Sequence, residues 1–241
     1  MNLACRHTSA LLLGALLLLA ACKPGETPEA PEKARAYVHA LHLYPGSEQI
    51  SLLMTSLGTR RTIADAISYG QSWPGSGYAS VLTYVQDSSA SAEWQTVLEV
   101  LDRQSRDTIV PVVPLPVLPG LYTSIVLIDS FGKPMLVRTV DDFGDTPAGQ
   151  GLVRLMNLST EPRSVSLEVK QDSLAISRLS FLNYSRFYTL KPGVYTFYFI
   201  NDLNRTRLDS IPNVQIRANQ AYNFYLARRN GQVRGAYETL K

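Results

Sequence analysis

The chain reads as an all-β protein of two tandem antiparallel sandwich domains, and three observations predict this. Short apolar runs recur every 8 to 15 residues with turn residues between them. The 3.6-residue period of an amphipathic helix is hard to find over any long window. The pattern of AYVHALHLYPGSEQISLLMT (36 to 55) is also written again as GLVRLMNLSTEPRSVSLEVK (151 to 170). Each copy is long enough for one immunoglobulin-like or transthyretin-like β-sandwich of about seven strands.

The N-terminus comes first. MNLACRHTSALLLGALLLLAACK carries Arg6, then an apolar run from Ala10 to Ala21 that stops at Cys22. A membrane span needs about 20 apolar residues, so this shorter run reads as a signal peptide, residues 1 to 21. Leu19, Ala20, Ala21 and Cys22 resemble the bacterial lipobox. The resemblance implies cleavage before Cys22 and lipidation of its thiol, with more than one acyl chain for a stable hold. Cys5 lies in the segment removed, so the mature chain keeps no thiol for a disulfide or a metal. Removal of residues 1 to 21 takes the formal charge from +3 to +2.

Residues 22 to 35 follow as a tether: KPGETPEAPEKAR has three prolines, three glutamates and almost nothing apolar. Such a segment buries no face and extends by about 3.1 Å per residue. Lys23 is not the aspartate that resembles an inner-membrane retention signal, and that similarity favours the outer membrane. Neither the periplasmic nor the cell-surface side is read from the sequence.

The first repeat spans 36 to 143. Against the second, Tyr37 falls on Leu152, His42 on Asn157, Ser51 on Ser166 and Tyr69 on Tyr184, an offset of 115. Later, WQTVLEV (94 to 100) matches VYTFYFI (194 to 200), and LPGLYTSIVLI (118 to 128) matches ANQAYNFYLAR, an offset near 100. The first copy therefore carries an insertion of about fifteen residues, placed near 70 to 94. DDFGDTPAG (141 to 149) is the polar junction, and the second repeat spans 149 to 241. Each 20-residue stretch opens its sandwich with a strand pair. Val165, Leu167 and Val169 alternate with Ser166 and Glu168, one face inward. VYTFYFI is apolar on both faces and predicts a central strand, after the turn signal Lys191-Pro192-Gly193.

VHALHLYPGSEQISLL and VRLMNLSTEPRSVSLEV, the Pro-Gly turn in FYTLKPGVYTFYF and the AYNFYLA strand together resemble the bacterial domain-of-unknown-function family numbered 4397. The resemblance covers both copies and is clearer in the second. It implies the sandwich fold and no activity, and the first copy departs from it around Trp73 to Trp94.

Several residue sets could carry chemistry. His39 and His42, the histidines of the mature chain, point to opposite faces of one strand and make no joint site. Their repeat partners Arg154 and Asn157 mark them as polar positions at a strand end. Asp141, Asp142 and Asp145 lack calcium-loop spacing and read as a solvated junction. Trp73, Tyr78, Tyr84 and Trp94 flank Gly/Ser-rich loop sequence, where rings contact a sugar or a protein partner; burial in the core is the competing reading. Asp107-Thr108-Ile109, Asp172-Ser173-Leu174 and Asp209-Ser210-Ile211 look like the O-glycosylation sites of Bacteroidota, at Thr108, Ser173 and Ser210, with the first and last as repeat equivalents. No cofactor or metal motif is present, and the scattered Arg and Lys residues exclude a nucleic-acid face.

The expectation is a non-enzymatic cell-envelope lipoprotein, held at the outer membrane by lipid on Cys22. It acts as a binding, adhesion or spacer module for a surface glycan or another envelope protein. The alternative is a structural subunit similar to Bacteroidota fimbrial proteins, which needs a donated strand or an open groove, so that an unpaired C-terminal strand, Tyr222 to Tyr237, favours it. A carbohydrate-binding accessory protein, or an enzyme with an unrecognised site, comes third.

Overall fold

The computed structural model describes residues 33–56, 59–84, 96–114, 120–229 and 231–240. The signal peptide, Cys22 and most of the tether lie outside the described residues, as does Trp94. The described part, from Lys33 onward, is one compact unit.

Nine strands come from the first repeat: β1 (Lys33–Leu43), β2 (Gln49–Ser56), β3 (Thr59–Ser68), β4 (Ser72–Trp73) and β5 (Ala79–Tyr84), then β6 (Thr96–Asp102), β7 (Thr108–Pro114), β8 (Tyr122–Ser130) and β9 (Lys133–Val140). Eight come from the second: β10 (Gly151–Leu158), β11 (Ser164–Val169), β12 (Ala175–Ser180), β13 (Tyr188–Leu190), β14 (Gly193–Asn201), β15 (Arg207–Ile216), β16 (Ala221–Arg229) and β17 (Gln232–Thr239). They form four sheets, ordered β3-β2-β6-β7, β4-β1-β8-β9 with β5 also on β1, β13-β10-β16-β17, and β12-β11-β14-β15. The fold class is the all-β double sandwich that the sequence predicts. Pairing is antiparallel except for β1 with β8 and β10 with β16, which are parallel.

Three apolar layers separate the four sheets. Ala36, Val38 and Ala40 of β1 and Ile125 and Leu127 of β8 meet Ile50, Leu52, Met54, Leu98 and Val100. Val153, Leu155, Phe224 and Leu226 meet Val165, Leu167, Phe197 and Phe199 in the second sandwich. Between the two inner sheets lie Leu41, Leu43, Val126, Ile128, Met156, Leu158, Tyr225 and Ala227. Burying one such side chain contributes about 1.5–3 kcal/mol. The inner strands are thus covered on both faces: all eight residues of β10 and the first seven of β16 are buried.

The ladders correct several expectations. The tether is shorter than 22 to 35, because Lys33, Ala34 and Arg35 pair with Tyr84, Thr83 and Leu82. The two opening segments are not hairpins, since β1 and β2, like β10 and β11, belong to different sheets. VYTFYFI is central in its sheet but buries one face over most of its length, with Tyr195, Phe197 and Phe199 inward, Val194 52% exposed and Ile200 buried at its end. The doubly covered strands are β10 and β16, whose alternate residues serve two cores.

Register also refines the repeat. Tyr37 pairs with Tyr122 where Leu152 pairs with Ala221, so the late offset is 99 and not 100. A one-residue slip would turn every side chain to the other face. Gln49 pairs with Ser68 where Ser164 pairs with Ser180, so β3 and β12 are related by 112. Tyr69 therefore corresponds to Phe181, not to Tyr184. Leu101 pairs with Thr108 where Ile200 pairs with Arg207, so Thr108 and Ser210 are not equivalents. Tyr222 to Tyr237 is two strands: β16 lies between β10 and β17, and β17 is paired along its length.

Candidate binding site at the seam between the repeats

The residues of β1, β8, β10 and β16 that face the opposite repeat alternate with those that face their own core, as strand geometry requires. Ladder partners then stack in rungs across the seam. Leu41, Val126, Met156 and Tyr225 form an apolar rung, and so do Leu43, Ile128, Leu158 and Ala227. One rung is polar. His39 lies opposite Ser124, and Ser124 opposite Thr139; in the second repeat Arg154 lies opposite Asn223, and Asn223 opposite Glu238. His39, Ser124, Arg154 and Asn223 are buried.

Asp141, at the end of β9, completes the rung. It is 3% exposed and forms an ion pair with Arg154. Its Oδ2 accepts from Tyr78 and Ser124 at 2.5 Å each, and its Oδ1 accepts from Thr139 at 2.8 Å. The Arg154 Nε donates to Asn223 Oδ1 at 2.5 Å, and its guanidinium lies 4.6 Å from the Phe187 ring centroid. A buried ion pair holds only when its remaining sites are filled in this way, and removing one partner costs about 3–5 kcal/mol. Asp141 is therefore no part of a solvated junction, whereas Asp142 and Asp145 are exposed.

His39 and Glu238 face each other across the seam, Nε2 to Oε2 at 3.5 Å, without a hydrogen bond. Asn223 Nδ2 donates to the other carboxyl oxygen, Oε1, at 3.3 Å. Desolvation pushes His39 down to about 4, with the Arg154 charge acting the same way against Asp141. Desolvation pushes Glu238 up to about 8, against the Asn223 hydrogen bond. Burial first, then the Asp141 charge, also raises Tyr78. Ser124, His39 and Asp141 are the residue types of a hydrolytic triad, yet the Ser124 hydroxyl donates to Asp141 and not to His39.

His39 is thus a mid-strand residue with converging partners, not a strand-end position. Sequence reasoning missed this because the partners come from β8, β9, β10 and β17, up to 199 positions away. The signal within reach was a charged or titratable residue at the same place in each apolar opening strand. His42 faces the other way and is structural. Its Nε2 lies 3.0 Å from the Ser47 carbonyl and its Nδ1 accepts the Tyr44 N–H, as Asn157 Oδ1 accepts the Ser159 N–H in the second repeat.

The segment from 70 to 81 borders this seam and is not itself the insertion: Ser72, Ala79 and Val81 correspond to Tyr184, Tyr188 and Leu190, so the extra length expected near 70 to 94 is three residues between β4 and β5, with the rest after Val81. Ala40 pairs with Trp73 and Val38 with Ala79, so β4 and β5 both lie along one edge of β1. The Gly77 N–H donates to the Thr239 carbonyl of β17 at 3.2 Å, joining the β4–β5 turn to the second repeat. Between them opens a cleft of about 590 Å³, lined by Gly70 to Ser72, Gly75, Ser76 and Tyr237 to Thr239 over Leu41 and Tyr225. A pocket of this size suits a small ligand.

Of the four aromatics, Trp73 and Tyr78 have described side chains, and these two do not share a platform. Trp73 packs against the first core, and Tyr78 joins Tyr122 and Phe143 at ring-centroid distances of 4.9 and 6.2 Å. Tyr84 closes β5, paired with Lys33, and Trp94 lies outside the described residues. Thr108 and Ser173 are exposed and Ser210 is half-buried.

No family model and no curated relative matches the chain. Among solved structures it is similar to a family-26 carbohydrate-binding module of Eubacterium rectale in complex with maltoheptaose. That match has 11% identity and a TM-score of 0.28, over 83% of this chain and 96% of that one. It is also similar to the tip fimbrial protein Mfa3 of Porphyromonas gingivalis, at 6% identity and a TM-score of 0.28, over 86% and 99%. At these TM-scores the overlaps supply no residue correspondence and assign no function.

Proposed function

We propose that the chain is a non-enzymatic envelope lipoprotein, anchored at the outer membrane through lipid on Cys22, which presents a binding module on a rigid double sandwich. The observation that carries this reading is the cleft at the seam. Gly75 and Ser76 wall it in a turn, Ser72 to Ala79, that is three residues longer than its Tyr184-to-Tyr188 counterpart in the second repeat, so the two repeats differ here. The shared apolar layer between the inner sheets supports a rigid body, useful to a binding module and to a spacer alike. The paired state of β16 and β17 favours this reading over a strand-donating fibre subunit.

Two measurements test it. Cys22→Ser is expected to move the protein from the membrane pellet to the soluble fraction, and unchanged membrane retention overturns the anchor. Retention of the purified lipoprotein on isolated cell envelopes tests the site. Ser76→Trp, at an exposed position lining the cleft, is expected to abolish retention, and Val194→Trp on the outer sheet is expected to preserve it. Equal retention of both variants removes the cleft from the function.

A further inference from the structure

Two large apolar side chains of the described residues stand almost free in solvent, Leu203 at 93% and Phe131 at 80%, while the next, Val194, is at 52%. Scattered exposed apolar residues are ordinary on a protein surface. Here, however, each repeat serves as the control for the other. Phe131 and Gly132 form the two-residue turn between Ser130 and Lys133, with φ +53° and +79°. Such a turn favours Asn-Gly, and a bulky residue with positive φ is an outlier. The second repeat has Asn230 and Gly231 in sequence at the corresponding place, between Arg229 and Gln232. Leu203 stands in the β14–β15 turn, where its N–H donates to the Asn201 side chain. In the first repeat that place is taken by Gln104, whose N–H donates to Asp102. At each turn, then, one repeat carries a polar residue and the other a bare apolar one. Strain and exposure together at Phe131 point to a role outside the fold.

Both turns lie at the same end of the protein. β1, β8, β10 and β16 bring Leu43, Ile128, Leu158 and Ala227 together near their C-terminal ends, and the Asn201 end of β14 pairs with Val165 at the start of β11. Contacts run from one turn to the other. Phe131 meets Phe181 edge-on at 6.1 Å, the Phe181 N–H donates to the Arg163 carbonyl, and the Asp202 N–H donates to the Ser164 carbonyl. Arg163, Arg178 and Leu203 line one groove at this end. Lys133, Arg163 and Arg178 are exposed and make no ion pair among the described residues. Of the nearby acids, Glu161 is exposed, whereas Asp202 already accepts from the Ser164 and Ser166 hydroxyls. The line is therefore apolar at its tips and basic between them. Lys33, through which the chain leads back to Cys22, begins β1 at the opposite end. A protein partner would have to offer a pocket to each tip. A bilayer instead accepts separate apolar tips at its interface and cations at its headgroups, without matching their shape.

We propose that this end of the protein docks on a bilayer surface rich in anionic phospholipid, with Phe131 and Leu203 entering the interface and Lys133, Arg163 and Arg178 meeting the phosphates. The surface is separate from the seam cleft and does not depend on what the cleft binds.

The test uses the full mature chain with Cys22→Ser, so that no acyl chain contributes. Flotation is measured with vesicles of phosphatidylcholine alone and of phosphatidylcholine mixed with phosphatidylglycerol. The protein is expected to float with the mixed vesicles, less so as salt rises, and to stay behind with phosphatidylcholine alone. Phe131→Asn and Leu203→Gln install the residue of the other repeat and suit their turns. Each is expected to weaken binding about tenfold, the scale of one partly buried apolar side chain. Arg163→Ala is expected to weaken it about fivefold. Val194→Thr, on the outer sheet, and Ser76→Trp, in the cleft, are expected to leave it unchanged. The proposal is overturned by absence of flotation with mixed vesicles, by equal flotation with both kinds, or by flotation that survives Phe131→Asn and Leu203→Gln combined. Envelope retention that the combined variant loses, with no vesicle binding by the parent chain, also overturns it in favour of a protein partner. Retention of Ser76→Trp is read in the combined background, so the cleft and the bilayer contact fail separately.

Discussion

Two titratable residues in the seam give this protein a defined pH dependence. The folded state holds His39 near 4 against an ordinary 6.5, so its contribution is complete above pH 6.5 and lost as pH falls toward 4. Glu238 is held near 8 against 4.5, so its contribution is complete below pH 4.5 and lost as pH rises toward 8. Between 4.5 and 6.5 the two slopes oppose each other. Between 6.5 and 8 the Glu238 slope acts without the opposing one from His39, and the wild type is expected to lose about 2 kcal/mol of stability over that window. Glu238→Gln keeps the shape without the charge, and its unfolding free energy should be flat there in chemical denaturation. A variant with the wild-type slope would mean that Glu238 is ionised in the fold.

Among the strands, the two repeats fill one corresponding position in opposite ways. Leu136 of β9 lies opposite Leu127, and Gly235 of β17 lies opposite Leu226, so the two are related by the offset of 99. Phe199 faces Gly235, and its counterpart by the same offset, in the core that Leu136 packs against, is Val100. Large against small in one repeat becomes small against large in the other. A Cβ on Gly235 would stand 2.1 Å from the Phe199 ring. Gly235→Ala is therefore expected to destabilise by about 1–3 kcal/mol, read as a lowered denaturant midpoint. Paired with Phe199→Leu, most of that loss should return. Edge strands are managed as well. Pro111 and Pro114 in β7, Pro134 in β9 and Pro212 in β15 leave those edges with missing donors, which discourages addition of a foreign strand.

Over the whole molecule, the buried layer between the inner sheets and the polar rung within it bind two sandwiches into one body. One cooperative transition is expected. The chain's two tryptophans, Trp73 and Trp94, both lie in the first repeat, so tryptophan fluorescence follows that half while far-ultraviolet circular dichroism follows both. The two denaturation curves should coincide, and separate midpoints would show that the halves unfold independently. Alternation and turn residues were enough to announce strands, and Val165, Leu167 and Val169 point inward as their period requires. The repeat was legible from residue type because the same core must be filled twice. Its register was not, since apolar residues match one another at several offsets and only ladder hydrogen bonds discriminate. The burial of Asp141 was equally hidden, as an aspartate beside a Gly/Pro-containing junction reads as solvated until Arg154 arrives from the other repeat. By itself the sequence determined strand content, duplication and the lipobox-like tetrapeptide at Cys22, all written in local patterns. Tertiary structure alone decided that His39, Asp141, Arg154 and Glu238 meet and that a cleft opens beside them, because those contacts form only when distant strands stack.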